Sequence, residues 1–189
     1  MSVLEAVRHR LSVTEFLRIA EVGVFAPDAR IELIEGDMID RVPIEVGHAR
    51  MVTELVRLLY RMVPDAVIIS PQNPLQLGER SLPQPDIQVL QPRADGYADR
   101  HPGPGDVYFL IEVADSTLDY DRQEKVPLYA AHGVVEVWLV DLWGRRVHVC
   151  RRPQPAERRY GEYMEMRDGG LAPLGPAGVV VDIARLFGA

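Results

Sequence analysis

The sequence predicts an α/β fold, and three observations carry that prediction. Residues 106–114 (DVYFLIEVA) form the strongest strand pattern in the chain, apolar enough to be central and buried on both faces. Residues 134–141 (VVEVWLVD) repeat it, and between the two runs residues 121–132 read as a helix closed by Gly133 as its C′ glycine. A second helix over residues 47–62 has Met51, Val52, Leu55, Leu58, Leu59 and Met62 at helical spacing, which makes it amphipathic.

The remaining elements follow in chain order. Ser12 and Glu15 form an S-x-x-E capping box, with Leu11 and Phe16 at the staple positions, so a helix starts at Ser12 and ends near Gly23. Residues 30–34 and 38–42 flank Glu35-Gly36-Asp37 and read as a tight hairpin. Three short apolar runs, 66–70, 74–77 and 85–91, are fenced by prolines and too short for helices, so each reads as a strand. Residues 92–105 are a loop rich in Pro, Gly, Asp and Arg, and residues 115–120 are a polar connection. Leu142-Trp143-Gly144 turns the second apolar strand into residues 146–151, its hairpin partner. Beyond Pro153 the pattern loosens, with one more strand pair expected over 160–166 and 178–182. No repeat, low-complexity tract or linker interrupts the chain. One domain over residues 1–189 is expected, with a basic hairpin region at 142–166.

Composition excludes several classes. The chain has 189 residues, 47% apolar and 26% charged, ordinary for a globular protein and unlike a disordered or collagenous one. No window approaches about 18 uninterrupted apolar residues, so no transmembrane helix is expected. The N-terminal MSVLEAVRHRLSVTEF carries charges throughout and lacks the apolar core of a secretory signal. A single cysteine, Cys150, excludes a disulfide framework and a Cys-based zinc cage. A cytoplasmic protein without membrane contact is the expectation.

Charge is distributed unevenly. The net charge of −7 disfavours a general nucleic-acid coat, but residues 145–189 hold 8 basic side chains against 5 acidic ones. Arg145, Arg146, Arg151, Arg152, Arg158 and Arg159 put six arginines within fifteen residues against one acid, Glu157. That pattern suits phosphate contact and equally suits a solvated hairpin or a dimer contact. Of the 21 basic residues 20 are arginine, and the one lysine is Lys125. A lysine kept where arginine is used everywhere else marks a place where a compact ammonium is needed.

The familiar catalytic signatures are absent: no phosphate-binding glycine loop, no G-x-S-x-G and no H-E-x-x-H, and the five histidines are scattered. What stands out is a set of acids near strands together with Lys125. Asp86 opens one strand after Pro85, Glu112 lies inside the most apolar strand, and Glu32 lies in the N-terminal hairpin. An unpaired carboxylate inside so apolar a run is strongly disfavoured, so Glu112 must serve something. Three converging carboxylates and a lysine are what a hard divalent cation and an activated water require.

Residues 108–141 carry Glu-Val-x-x-Ser-Thr, then Asp-x-x-x-Lys-x-x-x-Tyr, then Gly-Val-x-Glu-x-Trp. They follow an E-L-I-E-G-D-M hairpin, His48 heading the second helix and a P-D-I-Q-V strand. From about Leu11 to Cys150 the chain resembles the Uma-two family, a bacterial group within the PD-(D/E)XK, restriction-endonuclease-like superfamily. The resemblance implies a mixed central sheet flanked by helices and a metal-dependent endonuclease hydrolysing phosphodiesters of nucleic acid, DNA foremost. It further implies that Asp86 and Glu112 bind Mg²⁺ or Mn²⁺, with Glu32 assisting directly or through water. The superfamily lysine sits two residues after the glutamate, where this chain has Ala114, so Lys125 is its replacement from the following helix. Asp121, four residues earlier, is placed to orient Lys125 through an i,i+4 pair, and His48 is an auxiliary candidate. Arg145, Arg146, Arg151 and Arg152 are the candidate nucleic-acid contacts, and a homodimer fits a nuclease that cuts both strands. The alternatives are a catalytically degenerate relative that binds nucleic acid or a protein partner without cutting, and a hydrolase of another phosphoester. Without metal, mutual repulsion and burial should raise the pKa values of Glu32, Asp86 and Glu112.

Overall fold

A computed structural model describes residues 8–26, 28–41 and 43–188; the first seven residues of the N-terminal sequence and Val42 at the hairpin end fall outside this set. Helix α1 (Val13–Glu21) begins with the predicted capping box. Ser12 Oγ accepts from the Glu15 N–H at 3.2 Å, and the Glu15 carboxylate accepts from the Ser12 N–H at 2.8 Å. Val13 and Phe16 then pack against Leu33 and Leu82, with Leu11 alongside. Ser12→Ala is expected to lower stability by about 1 kcal/mol, read as a shifted urea midpoint at unchanged slope.

Strands β1 (Ile31–Ile34) and β2 (Asp37–Asp40) pair antiparallel around a two-residue turn. Glu35 and Gly36 both have positive φ, 50° and 87°, as a hairpin turn that matches strand twist requires. Asp37 therefore belongs to the second strand rather than to the turn.

The main sheet has six strands in the order β3-β4-β5-β6-β7-β8. They are β3 (Ile68–Pro71), β4 (Ile87–Leu90), β5 (Val107–Ala114), β6 (Glu136–Asp141), β7 (Arg146–Gln154) and β8 (Arg159–Met166). β5 and β6 are parallel and every other neighbouring pair is antiparallel. A parallel pair needs a crossover, and the segment 115–135 supplies it with a helix. The strand alternation divides β5 between two cores. Phe109, Ile111 and Val113 face a cluster with Val52, Leu55 and Leu59 of helix α2 (Val46–Tyr60). Leu110 faces the opposite cluster, with Leu128, Tyr129 and Ala130. A period of two puts Glu112 on that second face, beneath the crossover helix.

The crossover helix starts earlier than expected. Helix α3 (Leu118–Tyr120) leads into a π-type turn, Asp121–Lys125, and then helix α4 (Val126–Ala131). Pro127 lacks the N–H that an unbroken α ladder would use, and the wider turn before it accommodates that loss. The run 74–77 is not a strand: Leu77 makes only an isolated bridge to Ser81, and Leu75 N–H donates to Pro83 O. Residues 160–166 and 178–182 do not pair with each other. The first set lies in β8, on β7; β10 (Val181–Asp182) pairs with β9 (Gly170–Leu171), ahead of a short helix α5 (Ile183–Leu186). Residues 160–166 alternate in burial and so complete the sheet edge, whereas Val179, Val181 and Ile183 cap the α2 side of the core. No helix among the described residues is long and apolar enough to cross a membrane.

Candidate active site

A cleft of about 360 Å³ opens where β5 ends, walled by the β1–β2 hairpin, the start of α2 and the crossover. Glu32, His48, Asp86, Glu112, Asp121 and Lys125 all line it, so six residues spread over 94 positions meet in one place. Five separate segments bring them there. β1 carries Glu32, the first turns of α2 carry His48, and Asp86 lies just before β4. β5 carries Glu112, and the π-type turn carries Asp121 and Lys125. All four carboxylates and the ammonium are at most 5% exposed.

Lys125 Nζ lies 2.7 Å from Glu112 Oε1 and 3.4 Å from Glu32 Oε1. Glu32 Oε1 also accepts from the Gln84 N–H at 2.8 Å. Asp86 Oδ2 accepts from the Val113 N–H at 2.9 Å and lies 2.9 Å from His48 Nε2. The Asp86 N–H faces Glu112 Oε2 at 3.4 Å, a weak contact that leaves this oxygen the least committed of the pair. Asp121 is held by the Thr117 hydroxyl at 2.7 Å. The ion pairs of Lys125 go to Glu112 and Glu32 and not to Asp121, because the π-type turn rotates the two side chains off an i,i+4 line.

Two residues of the site were not singled out from sequence. Arg41, next to β2, reaches Asp86 Oδ1 with Nη2 at 3.3 Å and Glu32 Oε1 with Nε at 3.5 Å. Its Nη1 is buried without a partner, as is His48 Nδ1. Tyr129 donates its hydroxyl to Glu112 Oε1 in a short hydrogen bond. Its signal was present: Asp121, Lys125 and Tyr129 recur every four residues.

Charge in the cleft follows from this packing. Burial, reinforced by Asp86, Asp121 and Glu32 and opposed by Lys125, pushes the Glu112 carboxyl up to about 7. Burial likewise raises Asp121. Asp86 behaves oppositely to expectation. Burial acts to raise it, but the hydrogen bond and charge of His48, with Lys125 and the Val113 N–H, hold its carboxyl at about 2. Burial opposes the charge of Lys125, and Glu112, Glu32 and Asp121 outweigh it, so the ammonium stays protonated. Arg41 is raised in the same way, against burial, by Glu32, Glu112 and Asp86.

The sequence model of one family, Uma2, described as "Putative restriction endonuclease", matches residues 13–173. The chain belongs to the Uma2 family. Among solved structures it is similar to a crystal structure from Anabaena variabilis titled as "a putative nuclease belonging to DUF820". The TM-score is 0.70 at 21% identity, covering 94% of this chain and 97% of that one. Among curated proteins none matches. The Uma2 fold of this chain is thus the restriction-endonuclease-like one, a mixed sheet flanked by helices.

The arginines of the 142–166 region are placed differently from one another. Arg146 is paired with Asp141 at 2.7 Å and Glu165 at 3.2 Å. Arg151 is engaged with the buried Glu136 at 2.7 Å and with Ala172 O at 2.5 Å. Arg152 is 82% exposed beside Glu162. Arg145 projects from the β6–β7 turn, anchored on Phe187 O and over the Phe187 ring.

Proposed function

We propose that the protein is a divalent-metal-dependent endonuclease that hydrolyses phosphodiester bonds of nucleic acid, DNA foremost. The observation that carries this reading is the meeting of Asp86, Glu112, Glu32 and Lys125 in one buried cleft at the end of β5. Family membership supports the reaction class.

The donor set fits a hard cation. Its oxygens come from buried carboxylates, and Glu112, whose ionised form is disfavoured by burial and by Asp86, Asp121 and Glu32 against Lys125, would be relieved by a cation. Among the described residues no group of three or more His, Cys, Asp or Glu side chains is arranged as a metal cage. Mg²⁺ needs none, since it is commonly held by one or two carboxylates with water and substrate phosphate oxygens. Asp86 and Glu112 would hold the ion, with Glu32 assisting through water. Bound there, it would polarise the phosphoryl group and lower the pKa of a water.

The chain's own residues divide the remaining work. His48 and the Val113 N–H fix the Asp86 carboxylate, and Tyr129 fixes Glu112. Lys125, protonated, donates toward the charge that develops on the attacked phosphate. One observation favours the non-cutting alternative: Arg41 and Lys125 already bridge the carboxylates, so the acids are partly neutralised without metal.

A cleavage assay with supercoiled plasmid, single-stranded DNA and RNA separates the two. Metal-dependent loss of intact substrate, abolished by EDTA, is expected. Binding without cleavage in Mg²⁺ and Mn²⁺ would leave the non-cutting reading. Among the described residues each chain carries one such cleft, so cutting both strands in a single binding event calls for two copies. Linear plasmid appearing without a nicked precursor would support a homodimer, and accumulation of nicked circles would oppose it.

A further inference from the structure

A second cleft, about 490 Å³, lies along the other side of α2 from His48. Arg50 and Arg57 of α2, Arg145 of the β6–β7 turn and Arg185 of α5 line it, and Glu54 is the one acid among the lining residues. Arg57 is bonded to both oxygens of Glu54, at 2.7 and 2.9 Å. Arg50 and Arg185 have no ion-pair partner among the described residues, and both are exposed. Arg145 spends its guanidinium on a carbonyl and a ring, which leaves its charge uncompensated.

Many arginines elsewhere are neutralised, although Arg18, Arg30, Arg61, Arg80 and Arg122 also lack an ion-pair partner among the described residues. Arg93, Arg100, Arg146, Arg151, Arg158 and Arg159 each sit on a carboxylate. What sets this place apart is clustering: in a chain of net charge −7, four arginines and one glutamate line a single concave surface, an excess that an anion would offset.

The two clefts share a wall. Gly47 and Leu142 line the arginine cleft, while Asp115 and His48 line the carboxylate cleft. A Cβ on Gly47 would stand 3.1 Å from Asp115 Oδ2 and 3.8 Å from Leu142 Cδ1, so backbone and side chain meet closely there. From Gly47 to Arg57 the helix advances about 15 Å, a span matching about four phosphates of one strand.

We propose that the arginine cleft is a phosphate track that holds the backbone flanking the bond at the carboxylate cleft. The ligand is a run of phosphodiesters, read by charge and not by base. The proposal rests on the phosphodiester reading of the neighbouring site, and it assigns to Arg50, Arg145 and Arg185 a contact that Arg146 and Arg151 are too engaged to make.

The test is fluorescence anisotropy of labelled single-stranded DNA, RNA and duplex DNA of one sequence, in EDTA and over a range of NaCl. The variant Arg50→Gln/Arg145→Gln/Arg185→Gln should bind more weakly than wild type. Its log–log salt slope should be shallower by about 2 on single strands and about 3 on duplex. A control, Arg93→Gln/Arg158→Gln/Arg159→Gln, removes the same charge from paired surface positions and should keep the wild-type slope. Equal slopes for all three proteins, equal losses in both variants, or no binding by wild type at the lowest salt would each overturn the track. The strand type showing the largest slope difference identifies the backbone it holds. Cleavage by wild type in Mn²⁺ is scored separately. A slope difference without cleavage leaves the track and removes the nuclease reading, and cleavage without a slope difference does the reverse.

Discussion

Lys125→Arg is expected to lower cleavage by about 10²–10³-fold, the cost of removing one well-placed donor at a developing oxyanion. The ammonium stands 2.7 Å from Glu112 Oε1 and 3.4 Å from Glu32 Oε1, with its side chain 3% exposed. A guanidinium keeps the charge but is planar and larger, so it spreads its donors and cannot set a single one where the compact ammonium stands. Lys125→Met is the harsher change. It leaves Glu112 and Glu32 buried beside each other with Arg41 alone to compensate, and breaking a buried pair in this way costs about 3–5 kcal/mol. The two variants together separate chemistry from folding. Lys125→Arg should retain a denaturant midpoint near that of wild type while kcat falls; Lys125→Met should lose both. Full cleavage by Lys125→Arg would make the lysine an interchangeable charge, and the reading of a single lysine among 21 basic residues would fall with it.

What sequence could show of this fold depended on how local each signal was. The capping box at Ser12 and the apolar runs that became β5 and β6 depend on near neighbours, and they stand where expected. Glu112 was legible because a carboxylate inside an apolar strand contradicts its surroundings. Lys125 was legible because of its rarity in the chain. Arg41 was not, since it follows an alternating hairpin strand whose polar positions look like an ordinary solvated face. Only the return of the chain with Asp86 and β4 turns that arginine into a bridge between two carboxylates. The charge of residues 145–159 is less free than its count for the same reason. Counting six arginines against one acid left out Glu35, Glu136, Asp141, Glu162 and Glu165, which other strands bring alongside. The pairing of residues 160–166 with β7 was likewise hidden, because edge strands of similar pattern do not announce their partners.

Metal-free protein is expected to lose stability as pH rises from about 4.5 through about 7, and Glu112 is the cause. Its carboxyl titrates near 4.5 in the unfolded chain and near 7 when folded, because burial and its acidic neighbours disfavour the ion. Below the unfolded value both states are protonated and no cost arises; between the two values the unfolded chain is ionised while the folded one holds its proton, so stability falls, and above the folded value the loss is complete. The full difference amounts to about 3 kcal/mol at 1.36 kcal/mol per unit. Asp86 contributes with the opposite sign and in another window. Held at about 2 against 3.8, it stabilises the fold above the unfolded value and stops doing so as pH falls through the folded one. A divalent ion between these carboxylates would reverse the Glu112 cost at neutral pH, since metal binds the ionised form and displaces the proton. At a hundredfold excess over Kd the gain is about 2.7 kcal/mol. Glu112→Gln should therefore flatten the stability profile between pH 4.5 and 7 and lose most of the response to Mn²⁺. Melting curves of wild type, Asp86→Asn and Glu112→Gln across pH, with and without Mn²⁺, read both effects together. A Glu112→Gln protein that keeps the pH slope and still gains from Mn²⁺ would place the ion elsewhere and leave Glu112 as the structural partner of Lys125 and Tyr129.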